Sequence, residues 1–359
     1  MKILFDHQIF ASQTYGGVSR YFTEVIRRLP NTMWEVSATL SNNHYALSNG
    51  VVKCHTLFPR WDFRHKGRLM AELGKPYSAW RLKYGAYDIY HPTNFDTYGI
   101  PFIGKKPMVV TYHDTNFLTS HNINRRMARL QRSALSRADK VIAVSENTRK
   151  DLLSYFDIAP EKVSVIHHGV SRLEDKNFEH IAAPEYPYIL YVGLRHAFKN
   201  FQLFAVAFSL IAKRHPNLHV VCTREEFRPE ELQLFHRLGI ADRMHFSVAD
   251  EPMLARLYSD ALLFVFPSRY EGFGMPILEA MAYGCPCALS STSSFPEIAS
   301  DAAIYFPPDD AEAMADAIES LVNSDSLRQE LRRRGFERVK HFTWEQCAKK
   351  HLKLYSSLL

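Results

Sequence analysis

The stretch LLFVFPSRYEGFGMPILEAMAY, residues 262–283, sets an apolar strand directly before a glycine-containing loop and a helix. Gly272 and Gly274 allow the backbone to turn tightly, and Pro276 suits the first turn of a helix. Strand, loop and helix in this order are the repeating unit of parallel α/β sheets. Open sheets of this kind bind ligands at the carboxyl ends of their strands, and a helix that starts there favours phosphate.

The same alternation runs along the whole chain. Strands are predicted at 3–5, 36–40, 51–57, 89–91, 108–113, 141–145, 163–167, 188–193, 219–223, 244–248, 262–267, 285–290 and 303–306. Helices are predicted at 18–29, 200–214, 276–283, 310–324, 326–341 and 343–359. The alternation predicts an α/β protein with parallel sheets and helices on both faces of each sheet.

Length and one break in the pattern predict two domains. A chain of 359 residues is too long for one ordinary hydrophobic core. The polar stretch 171–187 contains two prolines and is predicted to link a first domain, 1–170, to a second domain, 188–342. The last segment, 343–359, is predicted to be a helix that packs back toward the first domain.

Composition excludes several classes of protein. With 46% hydrophobic and 23% charged residues the chain is an ordinary globular protein, and no apolar run approaches the length of about 18 residues that a membrane span needs. The N-terminus reaches Asp6 after three apolar residues, which indicates a strand and not a signal peptide. The five scattered cysteines are expected to be reduced thiols in a cytoplasmic protein.

Charge is distributed unevenly along the chain. Residues 1–170 carry 23 Lys and Arg against 13 Asp and Glu, whereas residues 171–359 carry 21 against 25. A basic first half predicts an anionic partner, which could be a membrane surface, a phosphate-bearing acceptor or nucleic acid. Because no recognised nucleic-acid-binding module is present, nucleic acid is not expected.

Two basic stretches account for much of that charge. One, residues 60–83, mixes cations with Trp61, Phe63 and Trp80, and the other contains Arg125, Arg126, Arg129, Arg132 and Arg137. Cations among aromatic rings suit docking to an anionic bilayer at the inner face of the cell membrane. A solvated helical face explains the same pattern equally well, so both interpretations stay open.

Charged residues follow two of the predicted strands. Glu271 and Glu279 flank the start of the helix after strand 262–267, where a carboxylate can accept hydroxyl hydrogen bonds from a ribose or a sugar ring. Arg195 and Lys199 follow strand 188–193, where two cations suit a diphosphate leaving group. Solvated surface charges are the alternative for both pairs.

From 268 to 301 the sequence resembles the donor-site signature of glycosyltransferase family 4, whose members are retaining enzymes of the GT-B fold. The shared features are two glutamates separated by seven residues (271 and 279), AMAYG at 280–284, SSFPE at 293–297 and DAA at 301–303. The resemblance implies two Rossmann-like domains whose parallel sheets face a central cleft. The first domain would bind the acceptor and the second the nucleotide-sugar donor.

The resemblance also implies roles for individual residues. Glu271, His113, Arg195 and Lys199 are the expected catalytic residues, with His113 as a hydrogen-bond donor that positions the sugar. The donor-binding residues are expected to be Gly16, Gly17, Arg195, Lys199, Val248, Glu271, Gly272, Phe273, Gly274, Met275, Pro276 and Glu279. Asp114 is an expected acceptor contact. Phe198 before Lys199 resembles the branch of the family that uses GDP-linked, mannose-type sugars.

The expected activity is therefore retaining transfer of a hexose to a glycan or lipid-linked glycan, in the assembly of a surface polysaccharide such as O-antigen or capsule. No metal is expected, because no convincing Asp-x-Asp motif sits at a strand end in the expected donor site. One alternative is a nucleotide-sugar epimerase or phosphorylase on a similar frame. Another is a nucleotide-sugar-binding protein that has no catalytic activity.

Overall fold

A computed structural model describes residues 1–61, 63–115, 125–174, 177–195 and 197–359. The chain divides into two units: Met1–Gly169 together with Trp344–Leu359, and Val170–Thr343. Every strand pairing in both units is parallel among the described residues. None of the described helices combines the length and hydropathy that a bilayer crossing requires.

The first unit contains two three-stranded sheets. Its strands are β1 (Ile3–Asp6), β2 (Trp34–Ser37), β3 (Ile89–His91), β4 (Val109–Tyr112), β5 (Lys140–Ala143) and β6 (Val163–Val165). Its helices are α1 (Gln8–Ser12), α2 (Gly17–Ile26), α3 (His44–Ser48), α4 (Lys66–Tyr84), α5 (Arg125–Arg137) and α6 (Glu146–Tyr155). The sheet orders are β2-β1-β3 and β4-β5-β6, and an isolated parallel bridge between Tyr90 and Met108 links them.

The second unit is built on one six-stranded sheet. Its strands are β7 (Tyr188–Tyr191), β8 (His219–Cys222), β9 (Met244–Phe246), β10 (Leu263–Phe266), β11 (Cys287–Ser290) and β12 (Ala303–Phe306). Its helices are α7 (Phe201–Ala212), α8 (Pro229–Leu238), α9 (Glu251–Asp260), α10 (Met275–Ala282), α11 (Phe295–Ala299), α12 (Ala311–Asn323) and α13 (Asp325–Val339). The order β12-β11-β10-β7-β8-β9 is that of a doubly wound nucleotide-binding sheet, with its switch point between β7 and β10.

Burial on both faces explains the apolar runs of the second unit. All four residues of β7, β10 and β11 are buried, as expected for parallel strands covered by helices on each side. On one face, α7 and α12 pack on the sheet through buried side chains that include Phe204, Phe208 and Ile318. This rigid layer fixes the position of the loops that leave the carboxyl ends of the strands.

The structure differs from the sequence prediction at several places in the first unit, where α1, α3, α4, α5 and α6 are not among the predicted helices. The strand predicted at 51–57 is wrong: this segment has only an isolated bridge between Leu40 and His55. Helix α4 was not predicted, because it contains Pro76 and has apolar residues on more than one side. An apolar pattern that covers more than one side of a helix gives no clear helical period.

The ends of the second unit also have defined positions. Residues of the predicted linker 171–187 belong to that unit, where the N–H of Leu173 donates to the Tyr283 hydroxyl (2.9 Å) and Phe178 is buried against the same ring. The final helix, α14 (Trp344–Ser356), returns to the first unit and contacts α2. Its buried Trp344 and His351 contact Tyr21 of α2, and its buried Tyr355 bonds with His91 of β3.

Candidate active site

Three loops of the second unit leave the sheet on either side of its switch point. They follow β7, β10 and β11, and the first two, together with α10, carry nine of the twelve donor-site residues predicted from the sequence. The carboxyl edge at a switch point is where doubly wound sheets bind their ligands. The fold thus places the predicted residues at the position that its topology makes available for binding.

The loop after β10 turns sharply into α10. Gly274 is the residue before the helix and has a φ of +90°, a backbone conformation that residues with a Cβ rarely adopt. A Cβ there would also lie 3.0 Å from Ile277 Cδ1 and 3.3 Å from Phe295 Cε1. Met275 and Pro276 begin α10, and the first N–H groups of a helix have no partner within it. This loop therefore presents a positive helix end beside Glu271.

Lys199 and Glu271 form an ion pair between two of these loops. The Lys199 ammonium donates to Glu271 Oε1, and their side chains are 17% and 15% exposed. The ammonium also lies near the Phe266 ring, 5.2 Å from its centroid. A backbone hydrogen bond from Arg269 N–H to the Phe198 carbonyl (2.8 Å) joins the same loops. A cation and a carboxylate are thus held together while remaining partly accessible.

Two serines after β11 form hydrogen bonds with the loop that carries Glu271. Ser293 accepts from the Glu271 N–H (3.0 Å) and its hydroxyl donates to the Glu271 carbonyl. The Ser294 hydroxyl lies 2.9 Å from the Phe273 carbonyl and is fully buried. In the sequence both serines belong to the family signature at 293–297, with no separate role predicted. They follow β11, which pairs directly with β10, so their loop lies beside the loop that carries Glu271.

Four further predicted donor residues belong to the second unit. Glu279 is half-buried on α10, and Gly272 and Phe273 are buried in the loop that precedes this helix. Val248 follows β9 at the far side of the sheet and is 81% exposed. Their contacts with a donor stay predictions.

Arg195 has partners different from those the sequence suggested. Its side chain is 0% exposed, and Nε donates to Glu231 Oε1 of α8 at 2.8 Å. The guanidinium lies 5.0 Å from the Phe227 ring centroid and 5.4 Å from that of Phe201. In this structure Arg195 does not join Lys199 beside Glu271. Its charge is compensated inside the second unit, so direct contact with a diphosphate stays a prediction.

Several buried polar atoms at this edge lack hydrogen-bond partners within the described chain. They are Arg195 Nη1, Thr223 Oγ1, Ser268 Oγ and Ser290 Oγ, which lie at or just beyond the ends of β7, β8, β10 and β11. Buried polar groups are normally paired, and each exception needs an explanation. Sequence reasoning did not single out Thr223 or Ser290, because a lone hydroxyl at a strand end carries no recognisable pattern.

His113 and Asp114, predicted to contact sugar and acceptor, follow β4 in the first unit. The His113 ring is perpendicular to that of Tyr21, with centroids 5.0 Å apart. Its Nε2 is buried without a hydrogen-bond partner in the described ranges. Burial lowers the pKa of His113 to about 3, so the ring is neutral at neutral pH. Asp114 is half-buried.

A chain of hydrogen bonds ties the sheet of the first unit to α14. The Tyr21 hydroxyl bonds with His351 Nε2 at 2.7 Å and with Thr111 Oγ1 at 3.1 Å. His91 Nε2 bonds with Thr111 Oγ1 at 3.0 Å, and His91 Nδ1 bonds with the Tyr355 hydroxyl at 2.7 Å. All five side chains are buried. The network could not be predicted from the sequence because its members are far apart along the chain.

The remaining predicted residues of the first unit are the two glycines. Gly16 precedes α2 and Gly17 begins it. The Gly16 carbonyl accepts from the Ser19 hydroxyl at 3.0 Å, and Gln13 Oε1 accepts from the Ser19 N–H at 3.2 Å. The loop is therefore closed on itself by local hydrogen bonds.

Within the described residues, no group of three or more His, Cys, Asp and Glu is placed to hold a metal ion.

Comparison with solved structures defines the class of the protein. The crystal structure of the Anabaena protein HepE in complex with UDP-glucose matches with a TM-score of 0.79, over 99% of this chain and 100% of that chain, at 17% sequence identity. Two doubly wound parallel units of this type form the GT-B fold of glycosyltransferases. The predicted fold class is thereby confirmed.

Sequence comparison then gives the family. The model described as Glycosyltransferase Family 4 matches residues 15–172, and the model described as Glycosyl transferases group 1 matches residues 174–338. The chain belongs to glycosyltransferase family 4, as the signature at 268–301 suggested. It is therefore a glycosyltransferase.

Two curated relatives carry more specific names. The chain is 28% identical over 300 residues to O-antigen chain mannosyltransferase B of Escherichia coli, a match that covers 78% of this chain and 77% of that protein. It is 26% identical over 241 residues to the serotype-specific mannosyltransferase WbdA of Escherichia coli, covering 62% of this chain and 29% of WbdA. The chain thus matches less than a third of WbdA.

Proposed function

We propose that the protein transfers a mannosyl residue from GDP-mannose, with retention of configuration, to a glycan or lipid-linked glycan. The product would be part of a surface polysaccharide of the O-antigen or capsule type. The observation that carries the proposal is the Lys199–Glu271 pair beside the start of α10, because it joins a cation, a carboxylate and a positive helix end at a sheet switch point.

Support for a mannose-type donor comes from the relatives and from one local sequence. Two of the relatives are named O-antigen or serotype-specific mannosyltransferases. Phe198 precedes Lys199, in the pattern of the family branch that uses GDP-linked sugars. The nucleotide and the sugar are therefore proposed together, and the assay below separates them.

In the proposed reaction the bond between the anomeric carbon and the donor phosphate breaks toward an oxocarbenium-like transition state. Lys199 and the first N–H groups of α10 stabilise the negative charge that develops on the departing diphosphate. The Glu271 carboxylate accepts hydrogen bonds from sugar hydroxyls, and Glu279 accepts those of the ribose. A donor diphosphate would compete with Glu271 for Lys199, which frees the carboxylate to bind the sugar.

The acceptor hydroxyl attacks the anomeric carbon on the face that the diphosphate leaves. Its proton passes to the departing phosphate oxygen, so the products are the mannosylated acceptor and GDP. No separate general base is required for this balance. We assign His113 to a hydrogen bond with the transferred sugar, Asp114 to the acceptor, and the Gly16–Gly17 loop to the donor phosphate.

Metal independence is part of the proposal. Lys199 and the helix start provide the positive charge that a divalent cation would otherwise supply to the diphosphate. We expect full activity after treatment with EDTA and no gain on adding Mg²⁺ or Mn²⁺. A loss of activity in EDTA that Mn²⁺ restores would contradict this part of the proposal and leave the transferase assignment intact.

The decisive experiment is a donor screen with product analysis. Thermal shifts are measured with GDP-mannose, GDP-glucose, UDP-glucose, ADP-glucose and dTDP-glucose, because a ligand that binds only the folded protein raises its melting temperature. Transfer is then followed with a mannan oligosaccharide acceptor, and anomeric configuration is read by NMR. We expect stabilisation by GDP-mannose and an α-linked product. A donor altered without acceptor would indicate an epimerase, and binding without any turnover would indicate a non-catalytic protein.

A further inference from the structure

Helix α4 is fixed to the first unit along one side. That side consists of Met70, Gly74, Ser78 and Leu82, all buried and spaced four residues apart. At Gly74 a Cβ would lie 2.4 Å from the His7 ring, so the helix approaches its neighbour closely. The Ser78 hydroxyl is 2.6 Å from that of Ser37. The orientation of α4 is therefore defined, and so is the side that it turns to solvent.

Beside the buried side runs a stripe of large exposed apolar residues. Its members are Leu69 (42% exposed), Leu73 (52%), Tyr77 (40%), Trp80 (52%) and Tyr84 (66%). They are spaced by four, four, three and four residues, which puts them on one side of a helix. The rings of Tyr77 and Trp80 stack with centroids 6.1 Å apart. A continuous exposed stripe of this kind marks an interaction surface.

The loop before α4 adds three exposed rings. They are Phe58 (48% exposed), Trp61 (72%) and Phe63 (41%). Phe58 stacks on Trp61 with centroids 6.2 Å apart, and Lys66 donates to the carbonyls of both residues, at 2.8 and 2.7 Å. Phe58 and Trp61 are thus held at the start of the helix. We call these three rings and the stripe on α4 the ring surface.

The ring surface belongs to a basic stretch of the chain, in which Arg81 is paired with Glu35 and Lys75 with Glu72 and Asp96. Residues 58–84 contain seven Lys and Arg against two Asp and Glu. Arg81 lies 5.6 Å from the Trp80 ring centroid and Lys83 lies 5.1 Å from that of Tyr84. A cavity of about 410 Å³ at the start of α4 is lined by residues that include Lys66 and Arg68. Cations beside amphipathic rings match the headgroup region of an anionic bilayer.

The second basic stretch provides an internal contrast. Helix α5 contains five Arg and no acidic residue, but none of its residues is among the large exposed hydrophobics. It has the charge of a docking surface and lacks the apolar part. The two interpretations that the sequence left open therefore separate: α4 combines both components, whereas α5 is a solvated cationic face.

We propose that the ring surface docks the protein on a bilayer containing anionic lipids, with the rings and leucines at the headgroup–acyl boundary and the cations against lipid phosphates. A second copy of the chain is a poorer occupant, because a two-fold contact would bring this basic surface against itself. The proposal is independent of the donor sugar, although it suits a lipid-linked acceptor. Trp and Tyr are the side chains that favour this interface in membrane proteins.

The test is vesicle flotation of the full-length protein without donor or acceptor. Vesicles of phosphatidylcholine alone are compared with vesicles that also contain phosphatidylglycerol, at low and high salt. We expect binding to the anionic vesicles and weaker binding at high salt, since the cations contribute and are screened. Because no turnover is involved, the result does not depend on the proposed glycosyl transfer.

Two double variants locate the surface. Leu73→Ser with Trp80→Ser removes apolar area from the ring surface, and we expect the partition coefficient to fall about tenfold or more. Leu210→Ser with Leu232→Ser changes exposed leucines of the second unit (42% and 45% exposed) and should leave binding unchanged. Unchanged melting temperatures show that both variants fold. Equal binding of the wild type and the Leu73/Trp80 variant would overturn the proposal. The proposal would also be overturned if the wild-type protein did not bind anionic vesicles. A wild-type dimer that the Leu73/Trp80 variant dissociates and the Leu210/Leu232 variant does not would overturn it as well.

Discussion

The carboxyl edges of the two units differ in how accessible their polar groups are. In the second unit, Lys199 and Glu271 pair across two loops and stay 17% and 15% exposed. In the first unit, Asp6 ends β1 at the switch point beside β3 and is 0% exposed. Its carboxylate accepts from the Thr93 hydroxyl (2.7 Å) and from the Tyr90 hydroxyl (2.7 Å), among other donors. The same topology thus yields a reachable charge pair in one unit and a buried, satisfied carboxylate in the other.

That difference separates two uses of polar groups at a strand end. A partly exposed pair can exchange its partner for a ligand at low cost, because solvent and ligand both reach it. A buried carboxylate with several donors stabilises the loops around it, and a ligand cannot displace those donors without disrupting them. Each prediction below sharpens or breaks this division between ligand-accessible and structural groups, in order of expected size.

The buried Arg195–Glu231 pair tests the division within one unit. Removing one partner of a buried ion pair leaves an uncompensated charge, so we expect Glu231→Ala to lower the free energy of unfolding by about 3–5 kcal/mol. Glu330→Ala, whose partners Arg333 and Arg334 are 66% and 38% exposed, should lower the free energy of unfolding far less. Urea unfolding followed by circular dichroism measures both. If Glu231→Ala and Glu330→Ala lower the free energy of unfolding by equal, small amounts, Arg195 is not structural. That result would favour direct contact of Arg195 with the donor.

The Lys199–Glu271 pair should show the opposite behaviour. We expect Lys199→Met and Glu271→Gln each to lower kcat/KM by about 100- to 1000-fold, because each removes a group that stabilises transition-state charge or holds the sugar. The free energy of unfolding should change by about 1 kcal/mol or less in each variant, since the pair is partly solvated. The matched controls are Lys340→Met and Glu337→Gln, from an ion pair whose side chains are 65% and 61% exposed. Variants that keep wild-type kcat/KM would show that the active site lies elsewhere.

The buried histidines of the first unit predict a pH-dependent stability. Burial lowers the pKa of His113 to about 3 and that of His351 to about 4, whereas the unfolded chain takes up these protons near pH 6.5. Protons therefore favour the unfolded state below pH 6.5, and stability is lost as the pH falls from there toward the folded-state values. At pH 5 we expect each histidine to cost about 1–2 kcal/mol relative to pH 7.

Substitution of one histidine tests that assignment. His113→Phe keeps an aromatic ring against Tyr21 and removes one titrating group, so the loss of stability between pH 7 and pH 5 should become smaller. His341→Phe changes an exposed histidine of the second unit and should leave the pH dependence as it is in the wild type. Unfolding in urea at both pH values gives the comparison. A parallel shift of both variants would place the pH effect outside the buried cluster.

Most of the fold could be predicted because parallel strands have a simple signature. Strands buried on both faces are short apolar runs, and β7, β10 and β11 all lie within predicted runs. The segment 51–57 has a similar apolar run, but the strand predicted there is wrong. Apolar residues alone do not show whether a neighbouring strand is available for pairing. Helix α4 was not predicted because apolar residues lie on its solvent-facing side as well as on its buried side. The sequence therefore shows no clear helical period there.

The local sequence pattern predicts the site best where its residues are close along the chain, whereas the family resemblance added Lys199, which is 72 residues from Glu271. Glu271, Gly274 and Glu279 belong to one strand–loop–helix unit, and the structure keeps them together. The partner of Arg195 could not be predicted, because Glu231 is 36 residues further along and a sequence does not show which acid a buried guanidinium will meet. A pattern of charges identifies the loop, and three-dimensional packing decides which of its cations remain available.

The smallest expected effect concerns an unpartnered hydroxyl on each side of the comparison. Ser268 Oγ, just after β10, and Thr23 Oγ1, in α2, are both buried without partners in the parts of the chain that the structure describes. If the edge of the second unit binds the donor, a hydrogen bond from Ser268 to that ligand would be worth about 1 kcal/mol, and Ser268→Ala should weaken GDP-mannose binding about three- to tenfold. Thr23→Val removes an equivalent hydroxyl and should leave the affinity unchanged. Calorimetric titration with GDP-mannose measures the affinity of both variants. Equal affinities of Ser268→Ala and Thr23→Val would mean that neither hydroxyl contacts the donor. An unpartnered buried atom would then not by itself mark a binding edge.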